Sequence, residues 1–171
     1  MKTLTDHLTM SAEYHRDKRN IATHFVGIPL IVLSITTLLS VPALSFSLGG
    51  LHLSAAIILT ILASLFYLRL DIAFGLTMTA LMTGMVLGGE AIVQVRPDQA
   101  ITIGIALFVI GWIFQFVGHY WEKRKPAFVD DLVGLLVGPL FLVAEMAFAV
   151  GLARKEKDEV LRRAGPTLIR P

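Results

Sequence analysis

Apolar residues occur along this chain in long blocks separated by short polar breaks. Four blocks reach the roughly 17–25 residues that a membrane-spanning helix requires. They cover about residues 25–44, 53–70, 72–92 and 101–121. Most charged residues lie outside them, at the N-terminus, at residues 119–131 and after residue 153. The pattern predicts four spanning helices.

The breaks between the blocks contain residues that favour turns. Pro42 and the uncharged sequence SFSLGG follow the first block, and Arg96-Pro97-Asp98 separates the third block from the fourth. The second and third blocks are divided only by a short stretch around Arg69 and Asp71, which leaves room for a tight turn.

A fifth apolar block, about residues 129–152, is less regular than the others. It contains Pro139, which lacks a backbone donor and is expected to kink or break a helix. Its glycines and Glu145 also depart from the pattern of the other blocks. This block could span with a kink, re-enter the membrane or lie against the other helices.

Basic residues indicate the orientation, because Lys and Arg are enriched in cytoplasmic loops. The N-terminal segment and the loop after the fourth block, with Lys123 to Lys125, are both basic, whereas residues 45–52 carry no charge. We therefore expect a cytoplasmic N-terminus. Five full spans would put the basic C-terminal tail outside, so four spans plus a non-spanning fifth segment are favoured.

The predicted fold is all-α: a polytopic transmembrane bundle of four spans, a fifth kinked or re-entrant helix, and a short N-terminal helix. We interpret residues 1–171 as a single integral membrane domain in a bacterial inner membrane or the endoplasmic reticulum. It comprises a cytoplasmic segment 1–24, a membrane core 25–152 and a basic tail 153–171, helical to about Arg163 and disordered beyond. The charged N-terminus lacks the features of a cleaved signal peptide, so we expect it to be retained.

Composition narrows the chemistry. Of 171 residues, 55% are hydrophobic, which exceeds the share in ordinary soluble domains and supports the membrane interpretation. There is no cysteine, which excludes disulfides, thiolate nucleophiles, iron–sulfur clusters and Cys-type zinc sites. The net charge of +2 is not arranged as a basic stripe with aromatics, so we expect no nucleic-acid partner. Any metal must be held by His, Asp or Glu.

Three of the five histidines are predicted to share one membrane boundary. His24 opens the first span at its cytoplasmic end, and the fourth span returns His119 to the same side. His15 precedes His24 by nine residues, which on one helix is half a turn out of phase. The two can meet only if the chain bends at the charged sequence RDKRN, for which Asn20 is a candidate N-cap of the first span.

Glu122 follows His119 by three residues, so the two share a helix face. A carboxylate at this spacing could bind the same ion or orient the imidazole. Neutral imidazoles without thiolates suit iron, zinc, copper or nickel better than magnesium or calcium. The alternative is simpler: a single interfacial histidine more often faces headgroups, and Glu122 could form a solvated ion pair with Lys123.

Two further ionisable residues lie within apolar sequence. Asp71 and Glu145 are costly in a membrane, where such residues are usually paired or functional. Asp71 could pair with Arg69 at the turn, and Glu145 could face a polar cavity. They would be the functional residues if this were a non-catalytic membrane protein or a small transporter.

The ordered motifs resemble those of the 2-hydroxy fatty acid dioxygenase family. They are Tyr14-His15, Asn20, His24, Gly27 to Leu30, Gln115 to His119, Glu122, Lys125 to Ala127, Asp131-Leu132 and Gly138 to Leu140. Where many relatives have Asn-Pro after the first histidine, this chain has Asp17-Lys18. The resemblance is concentrated in residues 10–30 and 112–145.

The resemblance implies an iron(II)-dependent membrane enzyme of fatty acid α-oxidation that shortens 2-hydroxy fatty acids by one carbon with dioxygen. It implies His15, His24 and His119 as metal ligands and Glu122 as a catalytic residue. The expected cofactor is Fe(II), and the expected partners are the 2-hydroxy fatty acid, dioxygen and membrane lipid. Lys123 or Arg124 is a candidate for attracting the substrate carboxylate. A zinc-dependent membrane hydrolase using the same histidines and a homo-oligomeric state remain open.

Overall fold

The computed structural model describes residues 2–123 and 133–169. Arg124 and the motif residues Lys125 to Ala127, Asp131 and Leu132 lie outside the described residues. Within them the chain is mostly helical and also contains one two-stranded sheet. In order, the elements are α1 (Leu4–Glu13), α2 (Lys18–Leu39), β1 (Ser45–Leu48), β2 (Leu51–Ser54), α3 (Ala55–Leu70), α4 (Ile72–Val95), α5 (Ala100–Glu122), α6 (Gly134–Ala149) and α7 (Arg154–Ala164).

The short N-terminal helix predicted from the sequence is present as α1. Its first turn is closed by a capping box: the Thr3 hydroxyl accepts the Asp6 backbone N–H at 3.2 Å, and the Asp6 carboxylate accepts the Thr3 N–H at 2.8 Å. Leu8 and Ala12 are fully buried on one side of the helix. The helix ends at Glu13, which leaves His15 in the linker that follows.

The first long helix begins earlier than the sequence pattern predicted. Helix α2 starts at Lys18, and the Asp17 carboxylate accepts the Arg19 backbone N–H at 2.9 Å, as an N-cap does. The prediction of Asn20 as the N-cap is wrong, because Asp17 already supplies the capping oxygen and Asn20 lies inside the first turn. His24 therefore lies one turn further along the helix.

Among the described residues, three helices are long and apolar enough to cross a membrane: α2, α4 and α5. They correspond to the first, third and fourth predicted spans. The second predicted span is shorter than expected, since α3 has 16 residues. The residues before it form β2, which pairs with β1 in an antiparallel hairpin. This hairpin, whose turn residues Gly49 and Gly50 have positive φ, is an exception to the all-α prediction.

The fifth predicted block corresponds to α6, which continues through Pro139. The break comes later, between Ala149 and Arg154, where Gly151 and Ala153 have positive φ and end the helix. Helices α6 and α7 are bent by 111° there, and together they are long and apolar enough for a broken span or a re-entrant segment. Of the kink or break expected at Pro139, the break is absent there and lies instead at the end of α6.

The chain divides into two compact units, residues 1–28 with 113–171, and residues 29–112. In the second unit, polar side chains bond to the backbone of neighbouring helices. The Ser34 hydroxyl donates to the Gly104 carbonyl at 2.7 Å, and the Thr36 hydroxyl donates to the Met85 carbonyl at 2.9 Å. Such bonds satisfy hydroxyls that would otherwise be unpaired in an apolar surrounding. The three candidate ligand histidines all belong to the first unit.

Candidate metal centre

The linker between α1 and α2 bends the chain, as the spacing of the histidines required. Helix α1 ends at Glu13 and α2 begins at Lys18, so His15 lies in the linker and His24 in the second turn of α2. The two rings then meet edge to face, with centroids 4.6 Å apart. The bend that would allow these two histidines to meet is therefore present, and it brings their rings together.

Helix α5 brings the third histidine to the same place. The His119 ring centroid lies 5.2 Å from that of His15 and 5.1 Å from that of His24. One potential ligand atom from each of the three side chains lies within 4.8 Å of the other two. All three residues are buried, with 4–6% of their surface exposed. We refer to these three residues as the histidine cluster.

Hydrogen bonds to the backbone set the orientation of two of the rings. The His15 Nδ1 lies 2.6 Å from the Ser11 carbonyl, and the His24 Nδ1 lies 2.8 Å from the Asn20 carbonyl. A carbonyl oxygen can only accept, so each Nδ1 carries the proton and each Nε2 presents a lone pair. This is the arrangement in which metal-ligating histidines are usually held.

The two lone pairs face each other. The Nε2 atoms of His15 and His24 are 3.1 Å apart. With both protons on Nδ1, this pair has no hydrogen to share, and its contact is repulsive unless a cation lies nearby. Two imidazole nitrogens bound to one ion at about 2.1 Å would be separated by about 3 Å. The geometry therefore fits a metal ion.

Burial keeps the His15 imidazole neutral. Desolvation lowers the pKa of His15 to about 3, and electrostatic interactions with His119 and Arg16 act in the same direction, against the hydrogen bond to the Ser11 carbonyl. A neutral imidazole is the form that binds metal. Three imidazole nitrogens suit iron, zinc, copper or nickel, so the residues present fit the iron that the family resemblance implies without selecting it over zinc.

Glu122 is fully buried and contacts the linker between α1 and α2. Its Oε2 accepts the backbone N–H of Arg16 at 2.9 Å and that of Asp17 at 2.7 Å. The Asn20 side-chain amide donates to the same oxygen at 3.2 Å. The carboxylate thus fixes the two residues that follow His15.

Close packing of α5 against α2 supports this arrangement. A Cβ on Gly118 would collide with the side-chain oxygens of Thr23 and Asn20. Only glycine permits this close approach of the two helices. The approach brings His119 and Glu122, which follow Gly118 on α5, within reach of α2 and the linker. Neither the backbone partners of Glu122 nor this packing has a direct signature in the sequence.

The C-terminal segment also contacts the linker. Leu168 donates its N–H to the Arg16 carbonyl at 2.9 Å and accepts the Lys18 N–H at 3.0 Å. The Arg16 guanidinium donates to the carbonyls of Ala12 and Gly165. The tail is helical to Ala164, close to the expected Arg163, but the expectation of disorder beyond it is wrong because backbone pairing orders these residues.

The other candidate residues lie elsewhere. Asp71 caps α4, since its carboxylate accepts the Phe74 N–H at 2.9 Å, which explains this carboxylate in structural terms. Glu145 is on α6, close enough to Arg16 and Lys157 to interact with their charges. Lys123 is exposed just after the end of α5, and Arg124 lies outside the described residues.

The chain is similar to known proteins over most of its length. The family model described as 2-hydroxy-palmitic acid dioxygenase Mpo1-like matches residues 1–150. The chain belongs to the Mpo1-like family. The 2-hydroxy-palmitic acid dioxygenase MPO1 of Saccharomyces cerevisiae is 34% identical over 146 residues, which cover 84% of this chain and 79% of the yeast protein. No solved structure matches.

The match to the Mpo1-like family confirms the resemblance inferred from the motifs. The matched residues include the histidine cluster, Glu122 and the linker. They end before α7, so the C-terminal residues that pair with the linker lie beyond the region shared with the family model. The histidine cluster is therefore within the shared part of the chain.

Proposed function

We propose that this member of the Mpo1-like family is a membrane dioxygenase that shortens 2-hydroxy fatty acids by one carbon, with iron(II) held by His15, His24 and His119. The observation that carries the proposal is the pair of Nε2 lone pairs 3.1 Å apart in a buried three-histidine cluster. The substrate class is supported by the name of the yeast relative, a 2-hydroxy-palmitic acid dioxygenase.

The overall reaction balances with dioxygen as the only oxidant. A 2-hydroxy acid and O2 give the acid shorter by one carbon, CO2 and water. The bond between C1 and C2 breaks, C2 rises from the alcohol to the carboxyl level, and C1 leaves as CO2. These changes release four electrons, the number that reduces both oxygen atoms of O2. An iron(II) ion held by His15, His24 and His119 would supply a Lewis acid for the substrate and a redox centre that makes dioxygen reactive.

The protein's own residues provide the binding geometry. The backbone carbonyls of Ser11 and Asn20 hold two imidazoles with their Nε2 atoms inward. Phe141, whose ring centroid is 5.4 Å from that of His15, adds an apolar wall that limits access of water. Glu122 acts as a positioning residue, since its Oε2 accepts the backbone N–H groups of Arg16 and Asp17 in the linker. The reacting groups would therefore sit in a largely dry, preorganised site.

The membrane arrangement belongs to the same proposal. The apolar lengths of α2, α4 and α5 support integral membrane insertion, with the N-terminus cytoplasmic because its flanks are basic. His24 and His119 lie near the ends of α2 and α5, so the substrate head would bind at the membrane boundary and its acyl chain would extend among apolar residues. Exposed Lys123, at the same end of α5, would attract the carboxylate.

The alternative is a zinc-dependent membrane hydrolase, because three neutral imidazoles fit zinc equally well. Product analysis with and without oxygen distinguishes the dioxygenase from the hydrolase. The purified protein, loaded anaerobically with iron, is given 2-hydroxyhexadecanoic acid and isotopically labelled dioxygen. We expect pentadecanoic acid carrying label and no product without oxygen.

Single substitutions test the ligands. His15→Ala, His24→Ala and His119→Ala should each lose bound iron and product formation. His52→Ala is the matched control, since His52 belongs to β2 in the other compact unit, and it should keep both. A wild-type protein that retains no transition metal after iron loading would contradict the proposal.

A further inference from the structure

Helix α5 buries a continuous polar face in the first compact unit. Gln115, Gly118, His119 and Glu122 are all buried and recur at spacings of three and four residues. Three of them have roles described above: close packing, the histidine cluster and the bonds to the linker. Gln115, 6% exposed, is the remaining polar member.

The carboxamide of Gln115 is incompletely satisfied by the protein. Its Nε2 is buried and has no hydrogen-bond partner among residues 2–123 and 133–169. A buried amide nitrogen that gives up water without gaining a partner lowers stability, so such a group calls for an explanation, and a bound ligand is one. Gln115 therefore has a donor available for a ligand.

Helical geometry places this donor beside the histidine cluster. Residues four apart on a helix are neighbours on one face, about 5–6 Å apart at Cβ, and their side chains tilt toward the helix N-terminus. Gln115 is thus one turn from His119, on the side away from Glu122. That side leads into the long apolar part of α5. A ligand held at the cluster with its chain in the apolar region would pass Gln115 with its first carbons.

We propose that Gln115 is a substrate-recognition residue whose Nε2–H donates to the hydroxyl oxygen on C2 of the acid, which rests on the proposed function above. An acid without this hydroxyl would leave the donor unpaired in a buried site. Sites built to bond a substrate hydroxyl reject the analogue that lacks it strongly. Gln115 would therefore select 2-hydroxy acids over unsubstituted acids of the same length.

The test compares two ligands in iron-loaded, full-length protein. KM is measured for 2-hydroxyhexadecanoic acid, and the inhibition constant for hexadecanoic acid, which cannot react at C2 in the same way. Gln115→Met keeps the size of the side chain and removes its donors. We expect KM to rise about 10- to 100-fold, while the inhibition constant stays the same or falls and the iron content is unchanged. Gln94→Met, at an exposed glutamine of α4, is the matched control and should change neither constant.

A second variant, Gln115→Leu, guards against a defect specific to methionine and should show the same loss of selectivity. The proposal is overturned if both variants keep the ratio of the two constants, or if both lose iron, which would make Gln115 a structural support of the cluster. Failure of the proposed function looks different. In that case the wild-type protein itself yields no shortened acid, whatever residue occupies position 115.

Discussion

The backbone N–H of Asp17 donates to the carboxylate of Glu122 across 2.7 Å, although 105 residues separate them in the chain. The N–H of Arg16 bonds to the same oxygen. Two backbone N–H groups of the linker therefore share one acceptor, and together these bonds fix the linker. Since His15 immediately precedes these residues, the position of its ring depends on a carboxylate one turn beyond His119 on another helix.

Removal of this carboxylate should weaken metal binding. Glu122→Ala leaves two buried N–H groups without an acceptor, at a cost of about 1–3 kcal/mol each, and frees the linker. We expect iron affinity to fall about 10- to 100-fold, the usual effect of losing an outer partner of a ligand. Glu122→Gln keeps an accepting oxygen and should lose less iron affinity.

The effect of these Glu122 variants is measured as iron affinity by titration of the metal-free protein, with Asp158→Asn on exposed α7 as a control. Equal affinity in Glu122→Ala and wild type would refute the positioning role.

Parts of this architecture could be predicted because they depend on local sequence. Apolar length identified the regions of α2, α4 and α5, and the half-turn between His15 and His24 required the observed bend. The cysteine-free composition restricted metal ligands to groups that include the histidines. These predictions needed only helical periodicity and the side-chain inventory.

Other parts depend on contacts between distant backbone groups, which carry no sequence pattern. Glu122 bonds to main-chain amides, and Leu168 pairs with the backbone around Asp17. The residues that contribute these backbone groups could be of almost any type. The hairpin at Ser45–Leu48 was missed for a related reason: its uncharged, partly apolar strand Leu51–Ser54 continues the hydrophobic pattern of α3.

The pairing of Leu168 with Lys18 suggests a test of the linker without its C-terminal contact. Lys18 is the first residue of α2, a position where proline is favourable because its missing N–H has no partner within the helix. Lys18→Pro should therefore preserve α2 and iron binding while removing the bond to the Leu168 carbonyl. Amide hydrogen exchange at residues 165–169 should accelerate. Unchanged exchange would mean that the backbone pairing of Lys18 with Leu168 does not order the tail. Loss of iron in this variant would mean that the same pairing supports the histidine cluster directly.

Acid should loosen the contact of α7 with α1. Bonds from the Thr3 backbone and the Arg163 guanidinium hold the pKa of Asp6 below its usual value. A carboxyl with a lowered folded-state pKa contributes stability above its unfolded pKa, near 3.9, and that contribution is lost as pH falls from there through the folded pKa. We expect proteolysis between α6 and α7 to be constant from about pH 5 to 8 and faster below about pH 4. Asp6→Asn should already show the faster cleavage at pH 7, and wild-type behaviour in this variant would contradict the assignment.

Gly118 offers the sharpest test of the packing that assembles the cluster. A methyl group there would meet the Thr23 hydroxyl and the Asn20 amide, and also lie 3.2 Å from the Asn20 Cα, which cannot rotate away. Helix α5 must then shift from α2, and His119, the next residue, shifts relative to His24. We expect Gly118→Ala to lower stability by about 1–3 kcal/mol, as overpacking does, and to reduce bound iron.

Gly84→Ala is the matched control for Gly118→Ala, because a Cβ at Gly84 on α4 would meet no atom within 4 Å. That variant should match or slightly exceed wild-type stability, since alanine favours helix more than glycine does. Thermal unfolding with and without iron measures both effects: iron should raise the unfolding temperature of wild type and Gly84→Ala, and raise that of Gly118→Ala much less. An equal rise in all three proteins would mean that the close approach at Gly118 is dispensable for the metal centre.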